Sequence, residues 1–95
     1  MKLQLFSSKR GSLEPNLISL QSPLYHAIPT VLVCPLSREL DSTPVRTTVR
    51  WNEIEFVVGC DLARPINRRA LRLIGEIGED SSHQVMATFL RLLAH

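Results

Sequence analysis

The side chains with the clearest chemical capacity in this 95-residue sequence are cations. Arg64, Arg68, Arg69, Arg72 and Arg91 put five of the eleven basic residues in the last third of the chain. The net charge is only +2, so a local basic face, rather than the total, is what would draw an acidic partner. Trp51, next to Arg50, has an aromatic face that can stack on a base or anchor a hairpin turn. Metal chemistry is poorly supplied. Cys34 and Cys60 have 25 residues between them and form no CxxC pair, and His26, His83 and His95 show no HxxxH spacing. The cysteines read as buried, reduced thiols and His83 as a solvent-facing imidazole; neither a metal nor a cofactor is expected.

Such residues need a scaffold, and the composition allows one. Apolar residues make up 44% of the chain and charged residues 21%, an ordinary globular profile, with one domain spanning 1–95. A chain this short gains from burying surface against a second copy, which makes a homodimer the expectation. The opening residues lack a long apolar core followed by a small-residue cleavage site, and no stretch approaches the roughly 20 apolar residues that cross a bilayer. A cytoplasmic protein without membrane contact is expected.

The elements follow from hydrophobic patterning. Residues 3–6 and 16–21 read as strands, the first followed by Ser- and Gly-rich turn chemistry, the second closed by Ser22-Pro23 and a loop over 22–27. Residues 30–36 are the most apolar, β-branched run and predict a central strand buried on both faces. Val45, Thr47 and Val49 share one side of a half-buried strand over 44–50. A turn at 51–53 leads into its hairpin partner, 54–58. Residues 60–67 punctuate the chain, and a last strand is expected around 71–74. A helix is predicted from Ser81 or Ser82 to about Leu93, with Ser81 and Gln84 at capping-box spacing and Asp80 at its positive end. Its stripe of Val85, Met86, Phe89, Leu90, Leu92 and Leu93 must be buried against the sheet or another subunit. The whole predicts a mainly β fold, a small barrel with a C-terminal α-helix.

Two sets of patches resemble known families. Ile18-Ser19-Leu20-Gln21-Ser22, the run from Ile28 to Leu36 ending in Pro-Leu, the early Ser8-Lys9-Arg10, Leu73-Ile74-Gly75-Glu76 and Ser82-His83 resemble CcdB toxins. The segment from Gly59 to Leu71, with Arg64-Pro65-Ile66-Asn67-Arg68-Arg69, and Pro35-Leu36-Ser37 are similar to MazF/PemK toxins. The resemblance implies an SH3-like barrel, a homodimer and a cognate antitoxin. Resemblance to CcdB implies a toxin of a type II toxin–antitoxin pair, serving plasmid maintenance by binding DNA gyrase rather than by catalysis. Phe89, Arg91, Leu92, Leu93 and His95 are then the partner-binding candidates, although the chain ends Leu92-Leu93-Ala94-His95 where CcdB ends Trp-Gly-Ile. Resemblance to MazF implies instead a metal-independent endoribonuclease acting on single-stranded RNA, with Ser37 at the hydroxyl position. That family's early Arg is absent from Ile18-Ser19-Leu20, so Arg64, Arg46 or Arg38 would supply the charge. Ser37 and Arg64 are the catalytic candidates on this reading. A non-toxic antitoxin-binding module is the third alternative.

Overall fold

The computed structural model describes residues 1–21 and 28–94; the loop expected over 22–27 and the candidate His95 lie outside the described residues. Among the described residues the chain forms β1 (Gln4–Ser7), β2 (Leu17–Ser19), β3 (Thr30–Ser37), β4 (Thr47–Trp51), β5 (Ile54–Val58), β6 (Arg64–Asn67), β7 (Arg72–Glu76) and α1 (Glu79–Leu93). All strand pairs are antiparallel, in the order β4-β5-β3-β2-β1-β7, with β6 also paired to β3. The expected mainly β, barrel-like sheet with one C-terminal helix is what forms.

The centre is β3, as the apolar run at 30–36 implied. Its burial alternates: Val31 and Val33 face a small cluster with Phe6 and Leu17, while Cys34 and Leu36 face the main core. One edge takes β2, through Leu17↔Pro35 to Ser19↔Val33. Beyond that register the Gln21 side chain continues the ladder, its Oε1 accepting the Leu32 N–H at 2.7 Å. The opposite edge is shared. β5 pairs with its C-terminal end through Leu36↔Val58 and Ser37↔Val57, and β6 with its first half through Val33↔Arg64 to Thr30↔Asn67. Both run in the same direction along β3, so β5 and β6 act as one strand interrupted by the 3-10 turn Cys60–Leu62.

Sequence reading took 60–67 as punctuation and missed β6, for a physical reason. Pro65 cannot donate to a ladder, which confines it to an edge, and β6 pairs only with β3. Its side chains are exposed or half-buried, so it carries no hydrophobic alternation.

The β4–β5 hairpin forms as expected. Trp51↔Ile54 closes a two-residue loop in which Asn52 (φ 52°) and Glu53 (φ 65°) are both left-handed, the type I′ geometry that matches strand twist. Strand β4 begins at Thr47, later than expected; Thr47 and Val49 are buried, whereas Val45 lies outside it and is exposed.

The helix starts two to three residues before the expected Ser81 or Ser82. Gly78 is its N-cap, with no side-chain capping bond. The capping box of Ser81 and Gln84 does not form, because Ser81 already lies inside the helix and Gln84 Nε2 donates to Thr47 Oγ1 at 2.8 Å; the neighbouring Ser82 Oγ accepts the Leu3 N–H at 2.9 Å. Glu79 and Asp80 still complement the positive end of the helix. Val85 is fully buried, and Met86, Phe89 and Leu92 pack on the main core, whereas Leu90 and Leu93 are exposed.

The sheet closes through a side chain. Strands β4 and β7 end the strand order, yet the Trp51 ring lies on the α-carbon of Gly75, where an added Cβ would sit 3.0 Å from Nε1 and 3.1 Å from Cζ2. Only hydrogen fits without displacing the indole. Gly75→Ala is expected to lower stability by about 1–3 kcal/mol, the usual penalty for overpacking, measured as a fall in the urea midpoint at unchanged m-value.

Candidate active site

Strand β3 ends at Ser37 beneath the β1–β2 loop, and between them lies a cleft of about 320 Å³. Lys9, Ser12, Glu14, Pro15 and Asn16 line it from the loop; Pro35, Leu36, Ser37, Arg38 and Glu39 line it from the end of β3, with Phe56 at its base.

Asn16 fixes the loop. Its Oδ1 accepts the Ser8 N–H and its Nδ2 donates to Ser8 Oγ, both at 2.9 Å. Its backbone N–H donates to Phe6 O at 2.9 Å, and its carbonyl accepts the Leu36 N–H at 2.8 Å. The loop is therefore tied to both β1 and β3. Gly11, at φ 78°, supplies the left-handed residue needed to reverse the chain.

Ser37 Oγ accepts the Glu39 N–H at 3.0 Å, a turn that leaves its own proton available for a bound group. Arg38 Nε lies 3.1 Å from Glu14 Oε1, with side chains 57% and 45% exposed. An ion pair this wet is weak, about 0–1 kcal/mol, so an incoming anion can take the guanidinium from the carboxylate. The cleft thus brings together two hydroxyls, a guanidinium, an ammonium and two carboxylates.

The other candidate cations lie elsewhere. Arg64 opposes Val33, four residues before Ser37 and therefore about 13 Å away along β3, and is not part of the cleft lining. Arg46 is held by Asp61, with Nε to Oδ1 at 2.9 Å and Nη2 to Oδ2 at 3.2 Å, and also donates to Asp41 O at 3.2 Å. Of the three guanidiniums considered from the sequence, the structure brings only Arg38 into the cleft. Sequence reasoning missed Lys9 and Glu14 as site residues; only the folded loop carries them to Ser37.

The partner-binding candidates of α1 divide. Phe89 and Leu92 turn toward the core, Leu93 faces outward, and Arg91 Nη2 donates to Thr88 Oγ1 at 3.3 Å. Pro44, Val45, Thr88, Arg91 and Leu92 line a shallow hollow of about 230 Å³.

Cys34 and Cys60 are both buried and carry free thiols. Gly59 N donates to Pro35 O at 2.9 Å, which carries the β5 register one step further and sets Cys60 opposite Cys34. The thiols hydrogen-bond, and this contact together with burial pushes the Cys34 thiol well above its ordinary value. Among the described residues no group of three or more His, Cys, Asp or Glu side chains is placed to hold a metal ion. No described helix is long and apolar enough to cross a membrane.

This arrangement of strands, with a loop-roofed cleft at the end of the central strand, is the MazF fold. Two crystal structures from Deinococcus radiodurans show the likeness. A chain of a MazE–MazF complex aligns at TM-score 0.77 and 19% identity over 97% of this chain and 93% of that one. MazF alone aligns at TM-score 0.71 and 19% identity, covering 99% and 93%. The Mycobacterium tuberculosis toxin MazF-mt6 aligns at TM-score 0.68 and 17% identity, covering 95% and 92%. No protein-family model matches the sequence, and no curated protein matches it.

The Arg46 guanidinium beside Asp61 holds that carboxyl below its ordinary value of 3.8. A depressed carboxylate stabilises the fold above its unfolded value, and the contribution is lost as pH falls through its folded value. Asp61→Asn is therefore expected to reduce stability at neutral pH and to converge on the wild type as the pH falls through the depressed folded value of Asp61, with a shallower acid limb in thermal unfolding followed against pH.

Proposed function

We propose that this chain is the toxin half of a toxin–antitoxin pair and cleaves single-stranded RNA at the Ser37 cleft without a metal. The observation that carries the reading is the convergence of Ser37, Arg38 and Lys9 beneath the β1–β2 loop, at the end of the central strand of a MazF fold. Support for a partner comes from the neighbours, three of which are crystals of a MazE–MazF complex. The cognate antitoxin enters the proposal on that ground, and a homodimeric state on the short chain's need for further buried surface.

Cleavage without a metal needs a base for the ribose 2′-hydroxyl, cationic donors for the extra charge on the phosphorane, and a proton for the departing 5′-oxygen. Glu14 and Glu39 are the carboxylates available to take the 2′-proton. Arg38, released from Glu14 by the phosphate, stabilises the non-bridging oxygens, with the Ser37 hydroxyl as a second donor. Lys9 is the cation able to protonate the leaving oxygen. The 2′-oxygen forms its bond to phosphorus as the bond to the 5′-oxygen breaks, giving a cyclic phosphate and a free 5′-hydroxyl.

The gyrase-directed reading rests on the CcdB-like patches alone, whereas the structural neighbours are MazF toxins. RNA is the better-supported target.

Purified protein incubated with single-stranded RNA in excess chelator should cut at short sequences. Arg38→Ala should slow cleavage at least 100-fold and Ser37→Ala about 10-fold, whereas Arg64→Ala should leave the rate within about twofold. Intact RNA accompanied by inhibition of gyrase supercoiling would replace this reading with the CcdB-like one. Intact RNA and unaffected gyrase, with antitoxin binding retained, would leave a binding module.

A further inference from the structure

The Ser37 cleft is close to electrically balanced, since Lys9 and Arg38 face Glu14 and Glu39. A balanced cleft can orient one phosphate but offers little to a polyanion. The charge lies next door. A groove of about 440 Å³ is lined by Ser7, Ser8, Lys9 and Arg10 on one side and Arg69 and Arg72 on the other, with no carboxylate in its lining. Lys9 lines both depressions, which makes them neighbours on one face.

The fold assembles this groove from distant parts of the sequence. Arg72 opposes Ser7 where β7 pairs with β1, which brings the start of β7 against the β1–β2 loop. Arg69 sits in the 3-10 turn Arg68–Ala70, held by Asn67, whose Oδ1 accepts the Arg69 N–H at 2.9 Å. On the loop side, Ser7 Oγ accepts the Lys9 N–H at 3.1 Å and donates to Lys9 O at 3.2 Å, and Asn16 grips Ser8. The backbone carrying each cation is thus fixed. Among the described residues, Lys9, Arg10, Arg69 and Arg72 have no acidic partner; the ion pairs use Lys2, Arg38 and Arg46. Three uncompensated cations, Arg10, Arg69 and Arg72, beside a balanced cleft that shares Lys9 with them, form a track for a chain of phosphates.

We propose that this groove binds the sugar-phosphate backbone of a single-stranded RNA flanking the nucleotide held in the Ser37 cleft. Arg69 and Arg72 contact phosphates outside the reacting step, and Lys9 is the hinge between binding and chemistry. The proposal rests on the ribonuclease reading for its substrate, but the groove can be tested by binding alone.

The test uses the full chain and a fluorescent 2′-O-methyl oligoribonucleotide, which cannot be cut, with affinity followed by anisotropy across a salt series. Each phosphate contact on a single strand contributes about 0.7 to the slope of log affinity against log salt, so Arg69→Gln/Arg72→Gln should lower the slope by about 1.4. Arg69→Lys/Arg72→Lys should keep it, and so should Arg50→Gln on the exposed face of β4. An unchanged slope in the double Gln variant, or an equal loss in Arg50→Gln, would overturn the proposal. So would weakened binding of a poly-glutamate peptide with RNA affinity intact, which would make the groove a peptide site. Cleavage by the wild type, measured in parallel, separates the two readings. Cutting with an unchanged slope removes the groove alone. A lowered slope without cutting removes the nuclease and keeps the groove.

Discussion

Everything in this molecule depends on the register of β3. It is the longest of the described strands, and it takes β2 along one edge and β6 and β5 in succession along the other. A one-residue slip would exchange Val31 and Val33 with Cys34 and Leu36 between the two faces, putting the wrong set into each cluster. The same register places Ser37 at the strand end, where the paired part of the fold stops and the loop of 8–16 folds over. Site and core are set by a single alignment.

The break between β5 and β6 shows how the fold accommodates a change of direction without losing that edge. Three residues, Cys60–Leu62, are inserted as a 3-10 turn, and the register of β6 against β3 is offset accordingly. Asp61 in this turn binds Arg46, which lies just before β4, so a surface ion pair secures the insertion against the neighbouring hairpin. The insertion consumes Arg46 as a free cation and carries Arg64 down the sheet. Of the guanidiniums considered for the cleft, Arg38 is left.

Much of this was legible from residue patterns, and the rest has identifiable reasons for being hidden. The β-branched run at 30–36 and the alternating stretches at 44–50 and 54–58 declare themselves because burial on a pleated surface demands that periodicity, although the paired strand of the first hairpin arm runs only over Thr47–Trp51. Strand β6 is silent because Arg64, Pro65 and Asn67 face outward and its pairing partner does the burying. The helix start was misread because Ser81 and Gln84 have capping-box spacing within residues that are already helical, and the fold uses Gln84 to reach Thr47 instead. At the site, Ser37 was recognisable from Pro35-Leu36-Ser37. Glu14 and Lys9 were not, since no spacing rule links a loop after β1 to the end of β3. The basic residues after Arg64 were visible as a cluster, but only the pairing of β7 with β1 shows that Lys9 and Arg10 join them.

Strand β1 has a further consequence for how the chain comes into being. Its inner edge pairs with β2, but its outer edge is filled by β7, and the amide of Leu3 finds its acceptor 79 residues later in α1. During synthesis the first strand therefore waits, half-paired, until nearly the whole polypeptide has emerged. Such sequence-distant closure makes for slow folding and leaves an apolar edge open meanwhile. A protein built this way gains its basic groove only when β7 closes on β1, so a chain truncated before β7 lacks it.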